Sequence, residues 1–538
     1  MAGTLQSSGS LSVAVAVSRV LGLVRESLYS RIVGAGALAD AYSVAFRIPN
    51  LLRDLLAEGA LSSAFVPTFT ASLVQEDRER AYQLANLALA ALLLLTGGLT
   101  LLGVIFAEEL VTMITSGWSA EKIAVSAGLT RIMMPLLALV SVGAVWTGML
   151  NAQRRYLAPA YAPALFNLVS ITVGLGLWFA GADGMHAIMA WSIGTLIAGV
   201  VQSFMLLPPL VRLGYRPTIA VRGLFRHPGV RRIFTLMTPA VIGIAAVQLN
   251  VFVNTRFAAS LGDGSVAQIE FAFRIFYLPI GMFGVALATI TTTQVSEDAA
   301  RGDRSGLVQK TAEGVSAVWL LTLASTVGLC VLARPIVSLI YEGGKFTAAD
   351  TIAVADILRM YALGLVPYSM VKIVAPAFYT IDRPRLPLLA SMAAVAVNIG
   401  FNFATYRELG PPGLALGTSL GMLVNVVLLR AFYQRKIGSL ARPGRWRELA
   451  WLVLANAIMG ALLWIAWYGA ALGLGHMHAP RWLMTLVTAG IVGVIIGVAF
   501  FVYVAVLRVG RFPGAAGLAR MPMSLWRRIR RKPAPGAS

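Results

Sequence analysis

The chain has 538 residues, 58% of them hydrophobic and 12% charged, with a formal net charge of +21 from 44 Lys+Arg against 23 Asp+Glu. With a mean hydropathy of +0.77, this composition excludes a soluble multidomain protein and describes a polytopic membrane protein. The basic excess, which would suggest nucleic acid in a soluble chain, falls in short loops between apolar runs, and the single cysteine, Cys330, excludes an internal disulfide.

Apolar runs of about 18 residues or more, bounded by charged or Gly/Pro-rich breaks, predict transmembrane helices. They lie at 10–32, 41–73, 82–106, 124–152, 160–181, 186–211, 233–260, 265–297, 308–333, 350–380, 386–406, 412–433, 448–472 and 482–507. The expected fold class is an all-α polytopic membrane protein with about fourteen transmembrane helices. The first run carries two arginines and lacks a short apolar core with a small-residue cleavage site, so it is read as a retained span and not a cleaved signal. The second, eighth and tenth runs exceed what a bilayer requires, and Pro49, Pro279 and Pro367 are the expected kink points within them.

Loops on the side of Arg78, together with the C-terminal tail, hold twenty-nine Lys and Arg, and the opposite loops hold seven. That asymmetry places both termini in the cytoplasm and agrees with an even number of spans. An internal repeat is also present. Ala45-Phe46-Arg47-Ile48 recurs as Ala272-Phe273-Arg274-Ile275, and Arg131, Arg155 and Pro159 recur as Arg359, Arg383 and Pro387. Six spans fit one period, so both copies enter the membrane from the same side, the plan of a transporter with a central site between two parallel repeats. The expected organisation is an N-terminal lobe at 1–211, a basic linker at 212–232, a C-terminal lobe at 233–436, an extra helix pair at 437–509 and a basic tail at 510–538. The linker reads as an amphipathic membrane-surface segment or as a solvated loop obeying the charge rule. The tail's WRRIRRK suits attraction to anionic lipid.

The stretch Ser18–Pro67 carries the chemistry. Arg19, Arg25, Arg47 and Arg53 lie in two otherwise apolar segments, accompanied only by Glu26, Asp40, Asp54 and Glu58. Each ionisable group at membrane depth costs about 2.5–3.5 kcal/mol, so a surplus of buried cations asks for an anionic passenger. Ser18 and Arg25, seven residues apart, share a helix face. Arg274 comes from the repeat-related helix of the other lobe. Guanidinium stays charged when desolvated and grips phosphate oxygens with two parallel hydrogen bonds. The alternative is that these arginines pair with acids or carbonyls and stitch helices together. Glu26 and Glu58 would hold the arginines between loads or close a gate. Asp40, taken alone, reads as a helix N-cap. Lys372, Arg131 and Arg359 read as side chains reaching toward an interface, without a site.

A second polar set, Asn250, Asn254, Asn398, Asn402 and Thr418, offers either sodium ligands or interhelical hydrogen bonds. No Walker A loop, HExxH or GxSxG motif is present, so the chain reads as a transporter and not an enzyme, driven by an ion gradient, membrane potential or downstream consumption. The pair His476-x-His478 has no carboxylate partners in sequence and reads as surface. No cofactor is expected.

The blocks SRVLGLVRE at 18–26, GAGALADAY at 34–42, FRIPNLLRDLLAEGALSSAFVP at 46–67 and FRIFYLPIGMFGVALATI at 273–290 resemble the MurJ (MviN) family of lipid II flippases. That family sits in a superfamily with multidrug exporters and polysaccharide flippases, and the resemblance covers essentially the whole chain. It implies that Arg19, Arg25, Arg53 and Arg274 line the cavity and engage the lipid diphosphate, that Glu26 and Glu58 neighbour that site, and that Asp40 matters for activity. A family sodium site maps onto Asn254, Asn398, Asn402, Leu414 (through its carbonyl) and Thr418. Two departures stand out: Phe273 precedes Arg274 where some relatives carry Asp, and Asn402 stands where the sodium pattern has a carboxylate.

The resemblance implies a monomeric flippase in the bacterial inner membrane, moving undecaprenyl-diphosphate-linked peptidoglycan precursor from the cytoplasmic to the periplasmic leaflet. Membrane lipids and cell-wall synthesis proteins would be its partners, with no nucleic acid. Two alternatives remain. A cation-coupled exporter of drugs or other polyprenyl-linked glycans from the same superfamily predicts, in its drug form, acidic cavity residues. A non-transporting lipid-binding scaffold for cell-wall enzymes predicts that Arg19→Ala keeps function.

Overall fold

The structure is a computed structural model, described at residues 2–218, 223–224, 226–440, 445–477, 479–512 and 514–515, with the side chains of 2–13, 58, 243, 246, 445, 481 and 482 set aside. Among the described residues the chain is helical, and its sole β feature is one isolated bridge, Gly343 to Phe346. Helices are what hydrocarbon demands, because a spanning segment must satisfy every backbone polar group within itself. Hydroxyls inside the spans follow the same rule. Thr96 donates to the Leu92 carbonyl at 2.7 Å, Ser141 to Leu137 at 2.7 Å and Thr322 to Val318 at 2.7 Å.

Nine described stretches are long and apolar enough to cross a bilayer, and two bent pairs, within Pro228–Ala259 and Ala348–Tyr379, raise this to eleven. The helix Ala2–Val33 and the run from Ala37–Arg53 to Ala60–Gln75 are too charged or too interrupted for that criterion, yet each is a full-length pass. The 52-residue helix Arg385–Lys436 is broken at Gly410, whose φ of 59° and ψ of −153° are not helical. Pro411 and Pro412 follow and have no N–H to continue the ladder, so the chain turns on the one residue without a Cβ. This separates the spans expected at 386–406 and 412–433 and completes fourteen helical passes.

The repeat shows in irregularities as much as in sequence. A π-turn at Asp54–Glu58 follows the first copy's Phe46-Arg47-Ile48, and another at Ile280–Gly284 follows the second copy's Phe273-Arg274-Ile275. Pro49 and Pro279 precede these turns, each removing one backbone donor from the ladder. Pro367 lies just after the 40° bend between Ala348–Ala362 and Leu365–Tyr379. Short helices that apolar length did not announce, Ala107–Ile114 and Ala333–Tyr341, follow the third and ninth spans. Arg131 donates to the Val104 carbonyl at 3.4 Å, and its repeat partner Arg359 donates to Cys330 at 3.2 Å and pairs with Asp356 at 2.5 Å. Both therefore bond to a carbonyl near the end of the preceding span.

By packing, the chain forms two compact units: 1–270 with 340–351 and 402–414, and 271–339 with 352–401 and 415–538. This division is not that of the repeat, since the seventh span packs within the first unit. The first unit's core includes the rings of Phe65, Phe69, Tyr82 and Tyr215; the first three stack at 5.4 and 6.4 Å, and Tyr82 meets Tyr215 edge-on at 5.5 Å. Tyr215 belongs to the linker. It is fully buried and donates to Asn86 at 2.6 Å, while Arg212, Arg216, Arg226, Arg231 and Arg232 point outward. In its described part the linker is thus anchored by the buried side chains of Tyr215, Leu224 and Val230. Positions 219–222 and 225, like the basic strip at 526–532, lie outside the described residues. Segment 340–351 is held in the first unit by Lys345 N–H to Arg31 carbonyl at 2.8 Å and Ser30 hydroxyl to Tyr341 carbonyl at 3.1 Å. The second unit's core includes Val318, Ile373, Phe378, Leu429 and Tyr433.

Candidate functional site

The first unit places Arg19, Arg25, Arg47 and Arg53 on its first two passes, with Arg31 at the end of the first helix. Arg19 is half-buried and has no ion-pair partner among the described residues. Arg25, six residues on, pairs with Glu26, its Nε donating to Oε1 at 3.1 Å, and its guanidinium lies 5.3 Å from the centre of the Phe166 ring. Glu26 is buried. Neighbours in a helix project about 100° apart, so this pair forms only because the long Arg stem curls back. Ser18 is half-buried and its carbonyl accepts from Asn167 Nδ2 at 2.9 Å, which fastens the first helix to the fifth pass. Arg53 pairs with Asp54 at 2.9 Å at the start of the π-turn, and Asp54 also accepts from Gln248 at 3.3 Å. The side chain of Glu58 lies outside the described residues.

Arg47 differs from the others. It donates to Thr255 at 2.9 Å and pairs with Glu270, so it joins three helical segments of the first unit. That is the stitching role in full, and its partner Glu270 could not be named from sequence. Arg19, Arg25 and Arg53 are different in kind. One has no carboxylate, and two hold the carboxylate next to them in sequence. Partly exposed pairs of the Arg53–Asp54 kind contribute roughly 0–1 kcal/mol, so phosphate oxygens, which present similar geometry and more charge, can displace the carboxylate.

Asp40 corrects an expectation. The N-cap of its own helix is Gly36, which makes no side-chain cap. Asp40 instead caps the helix Ser265–Pro279: it is fully buried and accepts the N–H groups of Gly264 at 2.7 Å and Ala267 at 2.9 Å. It also pairs with Lys122 at 2.9 Å; Lys122 reaches Asp263 at 2.7 Å and sits 4.0 Å from the centre of the Trp118 ring. Gly264 has φ of +89°, and a Cβ there would collide with the Ala35 carbonyl, so only glycine lets the two chain segments approach closely enough for this cap. Lys122 was counted only as a loop cation in the sequence, because its partner lies eighty-two residues away.

In the second unit, Arg274 is half-buried on the helix Ser265–Pro279, ahead of the π-turn that starts at Ile280. It is flanked by an aromatic group: Phe273 meets Tyr361 at 5.5 Å, Phe276 stacks on Tyr361 at 5.4 Å, and Tyr277 meets Tyr368 at 6.3 Å.

The amide set falls into two parts. In the first unit Asn402 is fully buried and its Nδ2 donates to Asn254 Oδ1 at 2.7 Å, while Asn254 Nδ2 reaches Asn250 Oδ1 at 3.3 Å. Asn402 Oδ1 is buried without a hydrogen-bond partner. In the second unit Asn398 Nδ2 lies 3.4 Å from Thr418 Oγ1. Leu414 is buried. The Asn254 oxygen accepts from an amide donor, and at position 402 an amide oxygen stands where a carboxylate would supply charge. Among the described residues no group of three or more His, Cys, Asp or Glu could hold a metal ion. His476 Nδ1 lies 2.7 Å from the Leu472 carbonyl, and His478 is outside the described residues.

Comparison with known proteins adds an independent line. The family model described as "Lipid II flippase MurJ" matches residues 29–490. A probable lipid II flippase MurJ of Rhizobium meliloti is 32% identical over 461 residues, covering 84% of this chain and 84% of that protein. A lipid II flippase MurJ of Burkholderia cenocepacia is 32% identical over 458 residues, covering 84% and 88%. Among solved structures, lipid II flippase MurJ in an inward closed conformation superposes with a TM-score of 0.74 at 23% identity, covering 91% of this chain and 97% of that one. An inward-facing multidrug resistance MATE family transporter of the MOP superfamily gives 0.67 at 17% identity, covering 80% and 98%. At these identities the structural likenesses speak to the fold.

Proposed function

We infer the function of this chain from one premise: it belongs to the MurJ family of lipid II flippases. It is a membrane transporter, not an enzyme, and its substrate is lipid II, the undecaprenyl-diphosphate-linked peptidoglycan precursor. The mechanism we propose is alternating access in the bacterial inner membrane, with both termini cytoplasmic and the diphosphate held by guanidinium groups. The observation that carries it is Arg19, half-buried with no carboxylate partner among the described residues, while Arg25 and Arg53 pair with carboxylates that are their immediate neighbours in sequence.

Arg19 supplies the first phosphate contact. Arg25 then exchanges Glu26 for phosphate oxygens and Arg53 exchanges Asp54; the resemblance implies a like role for Arg274. Release follows when the carboxylates reclaim their arginines. The exchange is close to balanced in charge, which keeps the substrate from being held too tightly to leave. A drug exporter would need carboxylates facing a cationic passenger, and the pattern here is the reverse.

Rescue of a flippase-depleted bacterium by the wild-type chain tests the reading, alongside lipid II translocation in proteoliposomes. Rescue with measurable translocation is expected; a well-expressed chain that does neither would overturn it. For coupling, we propose that this chain does not use sodium through its amide set, because the amide oxygens are committed or uncharged. Wild-type thermal midpoints are expected to be equal in sodium and potassium. Asn402→Asp restores a charge beside Asn254 and is expected to acquire a sodium-specific rise. A sodium-specific rise in the wild type would overturn the proposal.

A further inference from the structure

Within the second unit, the helices Val285–Ala300 and Leu365–Tyr379 enclose a groove of about 980 Å³. One wall is the polar face of an otherwise apolar helix and presents Thr289, Thr292, Thr293, Ser296 and Glu297. The hydroxyls of Thr289 and Thr293 are spent on the carbonyls four residues earlier, at 3.0 and 3.0 Å. Those of Thr292 and Ser296 make no hydrogen bond among the described residues. The other wall presents Lys372, half-buried, its ammonium 5.2 Å from the centre of the Tyr368 ring and without a carboxylate partner among the described residues.

Facing lipid, such a groove would hold a cation in hydrocarbon at about 2.5–3.5 kcal/mol, with a row of hydroxyls beside it. A polar face with an unneutralised lysine is what lines a substrate path. The position along the membrane normal narrows the ligand. Tyr277 lies one turn beyond Arg274, its ring meets Tyr368 at 6.3 Å, and Lys372 is one turn beyond Tyr368. The eighth and tenth passes run in the same direction, so Lys372 is about 10 Å along the helix axes from Arg274, toward the cytoplasmic ends. A diphosphate held at Arg274 does not reach that far; the rest of the headgroup does.

We propose that Lys372, assisted by Thr292 and Ser296, binds a carboxylate of the peptide carried by the lipid II headgroup. This rests on the flippase reading and deepens it, making Lys372 a residue that selects for the headgroup and not for the lipid diphosphate. It also revises the expectation that Lys372 has no site. Lys372 lines the groove opposite the threonine face, with its ammonium near the Tyr368 ring.

Binding titrations on the purified full chain, read by native mass spectrometry, test this with three lipids: lipid II, undecaprenyl diphosphate, and lipid II whose peptide carboxylates are amidated. Lys372→Gln is expected to weaken lipid II about tenfold, or ~1.4 kcal/mol, and to leave undecaprenyl diphosphate unchanged. The wild type is expected to lose the same factor on the amidated lipid, a comparison that requires no variant to fold. Lys372→Arg is expected to restore lipid II binding, and Arg274→Gln to weaken both natural lipids. Equal binding of all three lipids by wild type and Lys372→Gln, or equal weakening of lipid II and undecaprenyl diphosphate by Lys372→Gln, overturns the proposal while leaving the flippase reading standing. Failure of the wild type to bind lipid II at all overturns the flippase reading itself.

Discussion

Alanine at Arg19, Arg25 or Arg274 abolishes rescue of a flippase-depleted bacterium while the protein remains in the membrane; this is the largest functional effect expected of any single change. A hydrogen bond to a charged group contributes about 1.5–3 kcal/mol, and each guanidinium offers two. Each such hydrogen bond lost therefore lowers affinity on the order of ten- to a hundred-fold. Lysine at the same positions keeps the charge and loses the planar fork, so partial rescue is expected. Arg25 requires a further control, because its removal takes one charged partner from the buried Glu26. The double variant Arg25→Ala/Glu26→Gln also removes the Glu26 charge. Its thermal midpoint is expected to recover toward wild type while transport stays absent, which separates binding from folding. Rescue by all three alanine variants at wild-type levels would remove the arginines from the substrate path.

Asp40→Asn carries the largest expected stability effect. The wild-type carboxylate is fully buried, caps the helix Ser265–Pro279 through two backbone N–H groups, and neutralises Lys122. An asparagine supplies one acceptor oxygen where two are in use, and it leaves Lys122 with only Asp263, which is largely exposed. Removing one partner of a buried pair costs about 3–5 kcal/mol. The measurement is the thermal midpoint in detergent, with Asp263→Asn for comparison; that change is expected to cost less than about 1 kcal/mol. Equal midpoints for Asp40→Asn and wild type would mean the buried cap does not hold the two segments together. Loss of rescue should accompany the loss of stability, because the capped helix carries Arg274.

Membership of a transporter fold was legible in the chain because a bilayer imposes a one-dimensional rule. A pass must be apolar over about twenty residues and must satisfy its own backbone, so each span announces itself locally. The repeat was legible for a similar reason: matched Phe-Arg-Ile segments recur, and the structure adds matched π-turns behind them. Gly410 with Pro411 and Pro412 marked the break between two spans by backbone chemistry alone. The short helices Ala107–Ile114 and Ala333–Tyr341 escaped because eight or nine residues carry too little periodicity to separate from the end of a span.

The sequence by itself determined which cations lie in apolar segments and which passes carry them, because each follows from local hydropathy and charge. Only the tertiary structure decided what each charge meets. Arg47 finds Glu270 across 223 positions and Asp40 finds Lys122 across 82, whereas Arg25 and Arg53 find the residue beside them. Pairings of the first kind depend on which helices pack together, and no property of one helix specifies its neighbour. That is why Arg47 proved a stitch, Asp40 a cap for a distant helix and Lys372 the wall of a groove, three roles that their immediate sequence leaves open.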